Sequence, residues 1–134
     1  MQKYVCGLLF SPDKKHIALI KKKRPIWQYG LYNAIGGKVE GCESVMDAMA
    51  REYKEESGIY IDKWEGFTYI TGEDFEVYFF RSFSDEVFKA KTTTDEMVSV
   101  HHISKIMELD MVSNMKWIIP LALDTSKPSV TIRY

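Results

Sequence analysis

Gly37-Lys38-Val39-Glu40-Gly41-Cys42-Glu43, then seven residues, then Arg51-Glu52-Tyr53-Lys54-Glu55-Glu56-Ser57-Gly58-Ile59 is the stretch whose reading organises the chain. Most of it reads as a helix. Ser44 is suited to cap the start, with Asp47 following in a capping-box-like arrangement. Gly58 supplies a left-handed stop. Val45, Ala48, Met49 and Tyr53 recur at helical spacing and form the apolar face. The acids run against this pattern. Glu52, Glu55 and Glu56 share one face, where like charges repel by about 0.2–0.5 kcal/mol per pair. They also sit near the helix C-terminus, where the macrodipole disfavours anions. A helix built for stability alone would carry lysines there. An acidic cluster by itself also suits a solvated helix face, but this one comes with a Gly-Gly turn, a spaced Glu43 and an Arg-Glu pair. That combination points to a bound cation, and oxygen-only ligands favour a hard one, Mg²⁺ or Mn²⁺.

Outward from this stretch, length and composition set bounds. A chain of 134 residues predicts one domain, 1–134, and 46% hydrophobic residues suffice for a core. A net charge of −1 argues against a nonspecific nucleic-acid coat or a membrane-surface protein, though not against a small anionic ligand. Cys6 and Cys42 form no CxxC and are too few for a disulfide scaffold or zinc cluster. The apolar run Tyr4 to Phe10 is too brief for a signal sequence, and no run approaches membrane-spanning length. A cytoplasmic protein, monomeric or homodimeric, is the expectation, without membrane or nucleic-acid polymer as partner.

The flanking segments alternate strands and turns. Residues 2–10 read as a strand, Ser11 to Lys15 as a turn, and His16 to Lys22 as the return strand of a hairpin. Lys21-Lys22-Lys23-Arg24 is a basic run that suits either a charged strand edge or attraction of phosphate. Pro25 to Gly30 reads as a loop, Leu31 to Ile35 as a short strand, and Gly36-Gly37 as a turn. Tyr60 to Ile70 and Phe75 to Phe83 form a second predicted hairpin, Glu96 to Ile103 a further strand, and Val130 to Ile132 a last one. Asn114 to Leu123 reads as a second helix capped by Asn114. Helices interspersed among hairpins predict an α/β fold with a mixed sheet between helices.

Gly-x5-Glu-x7-Arg-Glu-x-x-Glu-Glu-x-Gly, completed by an apolar residue at Ile59, resembles the Nudix box, here residues 37–59. Tyr53 departs mildly, being aromatic where the box usually has Leu, Ile or Val. The resemblance is to the Nudix hydrolases, which cleave nucleoside diphosphates linked to another moiety. It implies an α/β/α sandwich. It also implies Glu52, Glu55 and Glu56 as metal ligands for Mg²⁺, with Mn²⁺ able to substitute, a backbone carbonyl at Gly36 or Gly37 beside them, and Glu52 as the leading base candidate. Glu43 would pair with Arg51 and hold the loop to the helix.

Beyond the box, Tyr32 to Val39, Asp95-Glu96-Met97 and Trp117 to Leu121 resemble the MutT-like 8-oxo-dGTP diphosphatase branch. That resemblance implies Glu96 as an extra metal or base carboxylate, so Glu52, Glu55 and Glu96 are the catalytic candidates. It places Asn33 as a base-reading amide, Trp27 in the base pocket, and Lys23 near the phosphate side, with Lys38 a further substrate-binding candidate. Where vertebrate members carry two aspartates before the second helix, this chain has Ser113 and Asn114, and Asn can still donate and accept. A nucleoside triphosphate is the expected substrate; ADP-ribose, a dinucleoside polyphosphate, an RNA cap or a non-catalytic sensor role are the alternatives.

Overall fold

A computed structural model describes residues 1–126 and 129–134. Strand β1, Gln2–Phe10, is the axis of the sheet. It pairs along its whole length, in parallel, with β6, Phe75–Phe83, and antiparallel with β4, Ile35–Lys38, over Tyr4 to Gly7. The predicted hairpin of β1 with β2, His16–Lys21, keeps one registered pair, Phe10 with Ile17. Beyond it β2 diverges and pairs with β3, Tyr32–Asn33, and with β7, Met97–His102. The second hairpin forms as expected between β5, Glu65–Thr71, and β6, and β8, Val130–Arg133, adds in parallel to β5. The sheet is therefore mixed, as the sequence predicts.

Side chains alternate across strands, and β1 splits its residues accordingly. Val5 and Leu9 face a core shared with Ala48, Met49 and Tyr53 of α1, Val45–Ser57. Leu8 and Phe10 face the other core, shared with Met115, Ile118, Ile119 and Ala122 of α2, Met115–Leu123. Helices thus cover both faces of the sheet. Tyr53 is fully buried, its ring 4.9 Å from that of Trp64, so the aromatic departure in the box is a packing variation away from the acids. Arg81, buried on β6, donates to the carbonyl of Ala122 at 3.1 Å and pairs with Glu65, which satisfies the end of α2.

Some boundaries differ from the sequence reading. Gly36-Gly37 is strand rather than turn, because β1 supplies its hydrogen bonds and no side chain obstructs the pairing. Tyr60 to Trp64 precedes β5 as irregular chain, with Ile61 and Trp64 tucked into the α1-side core. Asn114 occupies the cap position of α2 in helical conformation and makes no side-chain cap bond, so the predicted capping role fails. The loops also hold short 3-10 turns at Ile26–Gln28, Asp85–Lys89 and Ile103–Glu108. No helix among the described residues is long and apolar enough to cross a membrane.

Candidate active site

The site is built on α1, whose ends the local sequence sets. Ser44 accepts from the amide of Asp47 at 3.0 Å, and Gly58 closes the helix at φ 77°. Between them Arg51 gathers the loop and the acids. Its Nε and Nη2 grip both oxygens of Glu43 at 3.1 and 2.7 Å, a bidentate fork. Nη1 donates to Glu52 at 2.9 Å and to Glu55 at 3.3 Å, and Nη2 reaches the carbonyl of Lys38 at 3.0 Å. The amide of Glu40 in turn donates to Glu43 at 2.8 Å. The loop from β4 to α1 is therefore held to the helix by one guanidinium.

Glu52 lies against the backbone of Gly37: a Cβ at position 37 would overlap the Glu52 carboxylate. At Gly36 a Cβ would run into the carbonyl oxygen of Val5 on β1. The adjoining glycines thus serve two close approaches, one to the sheet and one to an acid.

Electrostatics separates the carboxylates. Burial raises the Glu52 carboxyl above its ordinary value, and the charges of Glu55 and Glu56 add to this, outweighing the guanidinium of Arg51. Burial also raises Glu56, with Glu96 and Glu55 adding, against a hydrogen bond from Thr94 at 3.2 Å. Glu43 is lowered by its hydrogen bonds from Arg51 and from the Glu40 amide. Glu96 behaves differently. Burial alone would raise it, but the amide of Lys23 at 2.7 Å, the Lys22 ammonium at 3.1 Å and the Arg24 amide hold it below the ordinary value.

Among the described residues no three acidic, His or Cys side chains already converge as a cage. Glu52 and Glu55 are turned onto Arg51, and Glu96 onto Lys22. The donor set nevertheless fits a hard divalent cation. Glu52 is buried and Glu56 half-buried, both are raised by that burial and by neighbouring carboxylates, and all their donors are oxygens.

The other sequence candidates differ in their surroundings. Lys23 and Lys38 are exposed. Trp27 is 65% exposed on its 3-10 turn, so it is not a core residue. Tyr32 and Ala34 pack toward the α2-side core. Asn33 is engaged locally: its Nδ2 donates to Gln28 at 3.1 Å and its Oδ1 accepts from the amide of Ala34 at 2.8 Å. Ser113 is exposed, while the Oδ1 of Asn114 is buried without a hydrogen-bond partner. Sequence reasoning missed Thr94 and Gln28, and the gripping of Lys22 and Arg24 by Glu96 and Asp95. The complementary charges of the last two segments were the available signal.

With the geometry in place, comparison with known proteins settles the family. A model of the NUDIX domain matches residues 1–122. The chain belongs to the Nudix family. The Nudix hydrolase YvcI of Bacillus subtilis (strain 168) is 44% identical over 57 residues, 42% of this chain and 33% of that protein. The match therefore spans about a third of that relative's length. The MutT structure from Bacillus halodurans superposes with a TM-score of 0.75 at 20% identity, covering 100% of this chain and 90% of the other. The NUDIX domain of Shewanella oneidensis NrtR, solved with ADP ribose, superposes with a TM-score of 0.79 at 14% identity, covering 93% and 88%. These structures share the Nudix fold with this chain, an α/β arrangement of mixed sheet and helices.

Proposed function

We propose that this Nudix protein is a cytoplasmic, Mg²⁺-dependent pyrophosphohydrolase of a purine nucleoside triphosphate, with oxidised purines such as 8-oxo-dGTP as the first candidates. Water attacks an inner phosphorus, and the products are the nucleoside monophosphate and pyrophosphate. The observation that carries this reading is the placement of Glu52 and Glu56. Both are raised by burial on one end of α1, with Gly37 bare against Glu52.

Glu52, Glu55 and Glu56, with a backbone carbonyl at Gly36 or Gly37, would hold the cation. When bound, the ion neutralises phosphate charge and lowers the pKa of a coordinated water. Glu52 is the base candidate, since a carboxyl held above its ordinary value is better matched to proton transfer near neutrality. Arg51 orients it from the side. The exposed ammoniums of Lys23 and Lys38 are available to phosphate oxygens, and exposed Trp27 is available to stack on a base. Asn114 offers a buried acceptor with no internal partner to a base-edge donor, beside Ser113. Asn33 must exchange its bond to Gln28 to do the same.

A second reading keeps the chemistry and changes the substrate to ADP-ribose, and the likeness to the NrtR domain favours it. The non-catalytic alternative is disfavoured because every box glutamate is retained. A panel of dGTP, 8-oxo-dGTP, dATP, dCTP and ADP-ribose with Mg²⁺ tests this. Pyrophosphate release from a purine triphosphate supports the proposal. Turnover of ADP-ribose alone overturns it in favour of the second reading.

A further inference from the structure

The carboxylates of the site do not share one environment. Glu52 and Glu55 are turned onto the Arg51 guanidinium, and Glu96 onto the Lys22 ammonium. Glu56 makes no ion pair among the described residues. Its carboxylate takes a single hydrogen bond there, from the Thr94 hydroxyl to Oε2 at 3.2 Å, and its Oε1 takes none. The charges of Glu96 and Glu55 act on it as well. A long side chain in that position stays ordered only if something offsets its lost rotamer freedom.

Thr94 stands where the chain crosses the end of α1. The last carbonyls of a helix have no partner within it, and residues 91–94 supply donors. The amide of Lys91 donates to the carbonyl of Ser57 at 3.1 Å, and the hydroxyl of Thr93 donates to the carbonyl of Glu55. Thr92 ties the same segment to β7, where its Oγ1 accepts from the amide of Val98 at 3.0 Å and donates to the carbonyl of Val98 at 3.4 Å. The successive threonines 92, 93 and 94 thus commit their hydroxyls to different partners. For Thr94 the second bond sets the direction of the first. Its Oγ1 accepts from the amide of Glu96 at 3.2 Å. An amide N–H only donates, and a hydroxyl carries one proton, so that proton is left for Glu56.

We propose that Thr94 is a positioning residue for Glu56: its hydroxyl, carried on the strap of residues 91–94 across the end of α1, holds Oε2 and leaves Oε1 for a divalent cation. Ligating carboxylates are themselves held by hydrogen bonds, and losing such a partner typically costs about 10–100-fold in metal affinity. Thr94 is exposed, which puts the expected loss at the lower end of that range. The inference rests on the reading of Glu56 as a metal ligand and not on the identity of the nucleotide.

The test titrates Mn²⁺ calorimetrically, without nucleotide, into the full chain carrying Thr94→Val, Thr94→Ser, Glu56→Gln, or Thr94→Val together with Glu56→Gln. Valine keeps the shape of threonine and removes the hydroxyl; serine keeps the hydroxyl. Thr94→Val should weaken Mn²⁺ binding about tenfold, and Thr94→Ser less than about threefold. Glu56→Gln should weaken it further than Thr94→Val does. Adding Thr94→Val to Glu56→Gln should then change the affinity by less than about twofold, because a residue that acts through Glu56 has no carboxylate left to position.

An affinity within about twofold of wild type in Thr94→Val, while Glu56→Gln weakens binding, overturns the positioning role and leaves Glu56 a ligand. A Thr94→Val loss that is equally large in the Glu56→Gln background, or that serine does not restore, makes Thr94 a structural part of the loop and also overturns it. Unchanged affinity in Glu56→Gln removes the ligand reading itself, and the positioning role with it. If circular dichroism shows Thr94→Val unfolded, Thr94→Ala goes through the same cycle and decides.

Discussion

Arg51→Lys gives the sharpest test of how the box is held together. The guanidinium makes a fork to Glu43, bonds to Glu52 and Glu55, and a bond to the Lys38 carbonyl. Lysine keeps the charge and loses the planar fork. A hydrogen bond to a charged group contributes about 1.5–3 kcal/mol, and exposed ion pairs about 0–1. Arg51 and Glu43 are only partly buried, so most of the loss comes from the fork and the carbonyl bond. The expected destabilisation is about 2–3 kcal/mol for Lys and somewhat more for Ala. With an unfolding entropy of about 2.1 cal/mol/K per residue, 134 residues give about 0.28 kcal/mol/K. The melting temperature should then fall by about 7–11 °C. Differential scanning calorimetry in EDTA measures it. A double-mutant cycle with Glu43→Gln should be strongly non-additive, since the groups are in contact. Arg51→Lys melting within a degree or so of wild type, or additive single effects, would refute the argument that this fork holds the loop.

The remaining predictions concern the acids and the base edge. Glu56→Gln and Glu52→Gln should each lower kcat about a hundredfold or more while the protein stays folded; full activity in either variant, or of wild type in EDTA, sinks the metal reading. Without metal, Glu56→Gln should melt higher than wild type at neutral pH. The folded Glu56 carboxyl is raised from 4.5, so its ionised form opposes folding above that raised value, and the advantage of Gln should vanish as pH falls to 4.5 and below. Wild type and Gln variant keeping one constant gap across that range would contradict this sign. Millimolar Mn²⁺ should raise the melting temperature of the wild type by mass action on the native state, and an unmoved transition counts against the site. Asn114→Ala should cost little stability, because its Oδ1 is unpartnered and makes no cap bond, yet raise KM and flatten the ranking among dGTP, 8-oxo-dGTP, dATP and dCTP. A lowered melting temperature with unchanged ranking would make Asn114 structural.

What the sequence determined by itself is what neighbours along the chain decide. The α1 caps, its apolar stripe and the face shared by Glu52, Glu55 and Glu56 depend on contacts within a few residues, and Ser44 and Gly58 act as their residue types predict. The mixed α/β sandwich was legible too, since strand and helix periodicities decide which faces must be covered. Tertiary structure alone decided that β1 runs beside β6 along its whole length and keeps one registered pair with its neighbour β2, and that β4 pairs with β1 and so makes Gly36-Gly37 strand. It also decided the partners of the charged groups. A glutamate at position 96 advertises a ligand, a base or an ion pair equally well. Only the arrangement of β2 beside β7 brings it under Lys23, 73 residues away, where it accepts from two backbone amides. Side-chain chemistry is local and can be read; which charge meets which donor is set by burial across the sheet, where desolvation makes unpaired groups costly and so selects the partner.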